Sequence, residues 1–506
     1  MSVTTSRRAG TRWVLLAGVF AAALIAVGVA VAVPYTATPP VLATPGASPF
    51  ANCTADNPAL QQQFSTLYPN AETEPRISVN PTNPQNIVAE YQQDRWNNAG
   101  SRGLVASVTT NQGASWQRVV VPGTSKCSGG DFDRATDPWV SFAPNGDLYA
   151  ISLSFDVFDS NNAVLVSKST NGGQTWGSPI AVAADDTNGL DKESITADPH
   201  DSNFVYAVWD RFVSPPGFPP SEQGRLHARS FVQQAFFSRT TDGGQTWSAP
   251  SVAYNPGTQA GTIGSIINVL PDGTLVDGLI QFADHKRPLR GVQVAVIRST
   301  DRGLSWSKKA TIVSPIDPTF PGPTDPDTGD AIRSGGLPDF AVDPASGKLY
   351  AVWEDDPTTP GIDEIRFSQS ADGGLTWSTP IKINQTPTSA PIGDQQAFTP
   401  TVKVAANGTV GVTYYDFRNN TGAPGLTTDF WFIHCHASCT SAGNWTQETH
   451  VAGPFDEEQA AEARGFFLGD YMGMDTIGNS FEAFFGQGVS RAASNPSDMF
   501  SSFIHP

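Results

Sequence analysis

The sequence predicts an all-β fold assembled from repeated four-stranded antiparallel units. Three observations carry that expectation. An eight-residue box recurs at Thr109–Trp116, Ser169–Trp176, Thr240–Trp247, Ser299–Trp306 and Ser370–Trp377, with the pattern Ser/Thr-x-Asp/Asn-x-Gly-x-Ser/Thr-Trp. A β-branched run that stops at a turn recurs along the chain. Finally, 47 Gly and 40 Pro with only 15% charged residues in 506 suit short strands and many turns.

Each box lies between apolar alternating runs, such as 236–240 before and 247–254 after Thr240–Trp247, which is the grammar of a hairpin. The Asp or Asn is expected to bond backbone N–H groups two residues on. The Gly is expected to supply a positive φ, the hydroxyl to close the turn, and the Trp to start the outgoing strand. All these roles are structural, so box residues are expected to stay out of any main cleft.

The units are counted from the strands around the boxes. First strands are expected at 77–81, 139–144, 194–199, 266–271, 340–344, 402–407 and 471–475. Second strands follow at 87–91, 148–153, 205–209, 275–282, 349–353, 410–415 and 481–485, and third strands at 104–108, 164–167, 235–238, 292–297, 365–368, 430–435 and 499–504. Fourth strands begin at the box Trp in five units and at Trp445 in the sixth, leaving the last unit without one.

The boxes resemble the Asp-box repeat of the sialidase-like β-propellers. That resemblance implies a β-propeller of four-stranded blades over residues 51–506. The strand count gives seven blades, closed by an N-terminal strand drawn from 53–68, because an open edge invites pairing. The alternative is six blades, as in the known sialidases, with the last segment as an appendage.

The N-terminus differs in kind. Arg7, Arg8 and Arg12 precede an uninterrupted apolar run, Trp13–Val33. Residues 1–34 therefore read as a signal peptide or an N-terminal membrane anchor, with the anchor favoured by the length of the run. Residues 35–50, rich in Pro, Ala and Thr, read as an extended tether. The folded part is expected outside the cytoplasm, secreted or tethered. The four cysteines agree, with Cys435–Cys439 and Cys53–Cys127 as the first pairing and the other pairings open from sequence alone. The competing reading of His434-Cys435-His436-x-x-Cys439 is a zinc site. No cofactor is called for, and nothing indicates a structural calcium. With a net charge of −18 and no basic stripe, nucleic acid is not an expected partner. Membrane contact is expected only through the N-terminal segment.

Chemistry is expected on the face where the loops leading into first strands meet the loops joining second to third strands. The former carry Glu74-Pro-Arg76, Asp133 to Asp137, Asp191-Lys192-Glu193, Arg333, Asp339 and Asp470-Tyr471. The latter carry Asp94-Arg95-Trp96, Asp284 to Arg287, Glu354-Asp355-Asp356 and Asp416-Phe417-Arg418. The bland reading is salt bridging around a channel. The functional reading is a polar pocket for an anionic or polyhydroxylated ligand. Sialidase resemblance implies three arginines gripping a sugar carboxylate, a Tyr–Glu nucleophile pair and an Asp acid/base. In chain order these roles fall on Arg76, Arg333 and Arg418 for binding, Tyr471 with Glu193 for attack, and Asp94 for proton transfer. Only Arg76, in Glu-Pro-Arg-Ile-Ser where the family has Arg-Ile-Pro, and Tyr471 have a recognisable local context. The resemblance thus implies an exo-α-sialidase-like glycoside hydrolase acting on glycoconjugates. The alternatives are a non-catalytic glycan- or protein-binding propeller, and a polysaccharide hydrolase or lyase using paired carboxylates such as Asp355 or Asp356 with Asp416.

Overall fold

Strands follow the β-branched runs, and the boxes sit at the turns between third and fourth strands. The computed structural model describes residues 1–5, 34–213, 232–257, 260–284, 290–317, 322–445 and 447–506. The 7–33 basic and apolar stretch lies outside them, as do most of the Pro-rich 213–225 insertion, His285 to Arg287, and 318–321 of the 317–330 insertion. Among the described residues no helix is long and apolar enough to cross a membrane.

Pro34–Pro506 forms one unit, built of antiparallel sheets. Four sheets contain four sequential strands each, starting at Gly189–Ala197, Gly261–Val269, Asp339–Val342 and Ala397–Val404. A thirteen-stranded sheet joins three further groups, whose first strands are Leu67–Val79, Arg134–Phe142 and Gly473–Ile477. The links between these groups are single bridges, Ser101 to Ala135 and Ala71 to Ser497. Apolar side chains fill the space between neighbouring sheets. Within the thirteen-stranded sheet, Val88 and Val108 of one strand group pack with Val140, Phe142 and Leu148 of the next.

The boxes repeat one set of contacts five times over, with one bond reversed in the first two, where the Asn amide donates to the Ser or Thr hydroxyl that otherwise donates to the Asp. In the third copy Gly244 N–H donates to Thr240 Oγ1 at 2.9 Å, Thr246 N–H to Asp242 Oδ1 at 2.9 Å, and the Thr246 hydroxyl to Asp242 Oδ2 at 2.5 Å. The Asp therefore serves N–H groups three and four residues on, not two. These donors hold Asp242, Asp301 and Asp372 down to about 2. The Gly is left-handed in every copy, with φ between 78° and 86°. In four copies the fourth strand starts several residues beyond the Trp, and the Trp306 ring meets Phe237 of the preceding sheet edge-on at 5.3 Å. Trp116 meets Phe484 of the last group in the same way, at 5.4 Å.

The last third strand, Asn495–His505, is paired on its outer side by Thr36–Ala37 and Val41–Leu42. The expected supplier, 53–68, instead carries a short helix, Pro58–Gln61, and only the start of the next strand. The stretch read as a tether is thus part of the fold. Tyr35, Ala43 and Phe50 are buried, and the Ser107 hydroxyl donates to the Ala43 carbonyl. Apolar residues spaced between prolines gave it a surface to bury, and Pro39-Pro40 splits it into two short strands. Cys53 is bonded to Cys127, and Cys435 to Cys439. The zinc reading fails there, because bridged sulfurs offer no thiolates.

Gly303 and Gly273 separate packing from backbone strain. Both are left-handed, but a Cβ on Gly303 would lie 2.2 Å from the Phe237 ring, whereas one on Gly273 meets nothing within 4 Å. Gly273→Ala is expected to cost about 1 kcal/mol and Gly303→Ala about 3 kcal/mol or more, read from urea unfolding midpoints.

Candidate functional site

The site is built from one local irregularity used repeatedly. Near the start of five first strands the register slips between residues 73 and 76, 136 and 139, 191 and 194, 263 and 266, and 398 and 401. Each slip contains a left-handed residue: Glu74 (φ 55°), Asp137 (50°), Lys192 (49°), Gly264 (75°) and Thr399 (49°). A bulge turns its side chain out of the strand's alternation, and a non-Gly residue held there stores about 1–3 kcal/mol of strain. Three of the five side chains are charged, and they point into one cavity of about 520 Å³. Arg95, Arg333, Arg464 and Asp470 line it too, and no box residue does.

Lys192 is the centre of the cavity floor. Its Nζ lies 2.6 Å from Asp137, 2.6 Å from Asp470 and 3.2 Å from Glu74. Burial alone would lower it, but the three carboxyls overturn that and push it well above the ordinary lysine range. Arg333 grips Asp470 with two parallel bonds, Nε to Oδ1 at 2.9 Å and Nη2 to Oδ2 at 2.6 Å. Burial works against the charge of Asp470, and Arg333 and Lys192 together hold its carboxyl well below the usual range. Glu74 goes the other way. Burial, with Asp137 and Asp470 nearby, outweighs Lys192 and lifts it to about 8. Burial and the Arg333 charge lower Arg95 to about 10. Arg464 stands exposed, left-handed at φ 69°, on the turn between Ala461–Glu462 and Phe466–Phe467.

The structure brings some of the sequence-predicted residues together and not others. Arg76, Glu193 and Tyr471 line a second, much smaller cavity of about 20 Å³, which shares Lys192, Leu337 and Asp470 with the larger one. Arg76 is spoken for: Nη2 meets Asp339 at 2.7 Å, Nη1 donates to the Met472 carbonyl, and the guanidinium stacks 3.7 Å from the Trp139 ring centre. The Tyr471 hydroxyl donates to the Pro138 carbonyl at 3.1 Å. Burial first, then the charges of Glu74, Asp137 and Glu193, push that phenol well up. Burial likewise lifts Glu193 well above the usual range. Arg333 alone of the expected arginines lines the large cavity.

Asp94 and Arg418 line neither. Asp94 accepts from Ser48 Oγ and Asn70 N–H, anchoring the N-terminal stretch. Arg418 turns towards its own sheet's outer strand, meeting Asp416 and Glu448 at 2.6 Å each and stacking on Trp431. Asp355, Asp356 and Asp416 are also absent from both linings. Arg464 was not singled out in the sequence; its only local sign is the Ala463-Arg464-Gly465 turn between apolar pairs.

No family model matches the chain. A sialidase from Micromonospora viridifaciens is 29% identical over 189 residues, which is 33% of this chain and 28% of that protein. The resemblance is to sialidases. The match spans little more than a quarter of that relative's length. Among solved structures, the Hadza microbial sialidase Hz136 aligns with 81% of this chain and 75% of its own, at 15% identity and a TM-score of 0.44. An α-L-arabinanase of Penicillium chrysogenum aligns with 92% and 98%, at 10% identity and a TM-score of 0.45.

Removing the shared ammonium tests the floor. Lys192→Met leaves three buried carboxyls around one site and is expected to cost about 3–5 kcal/mol at pH 7.5. In the variant Glu74 and Asp137, left without their ammonium, must bind protons on folding, while Asp470 keeps Arg333. The unfolded state then holds fewer protons than the native state, so stability falls as pH rises above about 4. The deficit should therefore shrink at pH 5, measured by urea unfolding at the two pH values.

Proposed function

We propose that this chain is a glycan-active β-propeller of the sialidase-like kind, a glycoside hydrolase that takes a terminal carboxylated sugar, sialic acid, in the large cavity. The observation that carries the reading is three guanidinium groups, Arg95, Arg333 and Arg464, lining one cavity above the Lys192 ammonium. A guanidinium matches a carboxylate, here first the exposed Arg464, since Arg333 holds Asp470 and Arg95 the Gly100 carbonyl, and a mixed-charge wall suits the hydroxyls around it. On this reading Arg95 and Arg464 take the binding roles first assigned to Arg76 and Arg418, with Arg333 retained. The strand groups are read as seven blades, with Thr36–Leu42 completing the last. The two disulfides favour an oxidising compartment outside the cytoplasm, with residues 1–34 as export signal or anchor.

A second reading, glycan binding without catalysis, is favoured by Tyr471. A phenol buried with its hydroxyl on the Pro138 carbonyl is a poor nucleophile as it stands.

Release of the chromophore from an aryl sialoside decides between them. The expected outcome is turnover by the wild type and a rise in KM of about tenfold or more for Arg464→Ala. Sialoside binding by calorimetry without turnover would favour the second reading. Neither turnover nor binding would remove both.

A further inference from the structure

We propose that the loop of residues 356–363 holds a calcium ion between the carboxylates of Asp356 and Asp363. The site stands apart from the sugar reading, and neither carboxylate lines either cavity.

The argument starts from strand register. Leu349–Asp355 and Glu364–Ser370 are neighbouring antiparallel strands, and Asp355 pairs with Glu364 at their end. Residues 356–363 connect the two, so Asp356 and Asp363 stand opposite each other at the neck of the loop. Alternation puts them on one face with Glu354, and puts Asp355 and Glu364 on the other. The bases divide unevenly between the faces. Arg366 and Lys382 both meet Glu364, at 2.6 Å and 3.5 Å. Among the described residues the charges that act on Asp363 are those of Glu354, Asp356 and Asp355, all negative. Like charges directly opposite one another work against a strand pair, and more so when water is kept out.

Water is kept out here. Asp363 is 0% exposed and Asp356 4%. Glu354 has its donors, the Ser334 hydroxyl and the Thr399 N–H, at 2.6 Å each. Asp356 Oδ2 accepts from the Gly361 N–H across the loop. Asp356 Oδ1 and both oxygens of Asp363 accept no hydrogen bond from any described residue. Buried carboxylate oxygens in that state call for a ligand. A proton removes one charge and still leaves oxygens without donors. One divalent cation neutralises both acids and can take up all three oxygens.

The donor set selects the ion. Residues 354–366 contain no His or Cys, so the nitrogen and sulfur ligands that zinc favours are missing from the loop. Carboxylates and loop carbonyls are hard oxygen donors. An irregular loop presents them at uneven angles, which calcium accepts with about 6–8 ligands and magnesium, held to an octahedron, does not. Glu354 places the site one contact from the large cavity, because its partner Ser334 lies in that wall beside Arg333.

Calorimetric titration of the chelator-washed chain with calcium chloride tests the site. Binding is expected with a Kd of about 10⁻⁵–10⁻³ M, and about tenfold or more weaker for magnesium. Asp363→Asn and Asp356→Asn should each lose about tenfold or more in calcium affinity. Asp327→Asn, in the separate acidic turn 325–330, should lose none. Urea unfolding gives a second readout. Calcium at about 5 mM should raise the wild-type midpoint. Without calcium Asp363→Asn should unfold at a higher midpoint than the wild type, because it removes one of two opposed buried charges, and with calcium the order should reverse. A wild type that binds no calcium overturns the site, as does affinity that falls in Asp327→Asn but not in the two loop variants. A variant that unfolds below the wild type in both conditions, with its calcium affinity kept, makes Asp363 a structural acid and overturns it too.

Discussion

An ammonium can leave water only if anions replace its hydration shell, and Lys192 does so with three carboxyls from three different strand groups. That single requirement ties together Glu74 after the start of the Leu67–Val79 strand, Asp137 in Arg134–Phe142 and Asp470 just before Gly473–Ile477. Each carboxyl reaches Lys192 because a strand is bulged or ends there. The charged floor and the backbone irregularity are thus one feature seen at two scales. The left-handed residues are strained one by one, and the ion cluster supplies the compensation that keeps them in place.

The cavity above inherits its character from that floor. Asp470 takes up most of the charge of Arg333, so the guanidinium is oriented as well as neutralised. Arg95 is held by the Gly100 carbonyl and stacks on Phe467, and Arg333 stacks on the same ring. Arg464, on an exposed turn, is the cation with most freedom to meet a ligand. Rigid walls and one free arm form a division that suits capture of an anion from solvent.

What was legible in the sequence follows from what is local. The box encodes its own turn through bonds spanning four residues, so five copies could be read directly, and the strands around them by alternation. The face bearing the site was legible too, since Glu74, Asp137, Lys192, Arg333 and Asp470 all sit just ahead of or at the start of first strands. Which arginines share a cavity was not. Arg76 has a family-like context in sequence and Arg418 only its place in chain order, yet Asp339 and Glu448 claim them from 263 and 30 residues away. Arg464 reaches the cavity from a small hairpin that belongs to no repeat. The outer strand of the last group was sought in 53–68 because 35–50 looked too rich in proline to pair. Two short strands either side of Pro39-Pro40 met that objection.

That outer strand has a consequence for the life of the chain. Thr36–Leu42 pairs with Asn495–His505, so this segment finds its partner only after the intervening sheets have been made. During synthesis the intervening sheets can form in turn, each on the one before, while that segment waits unpaired. The last group is therefore completed late, and a chain lacking Thr36–Leu42 carries an uncovered strand that a neighbouring molecule can occupy.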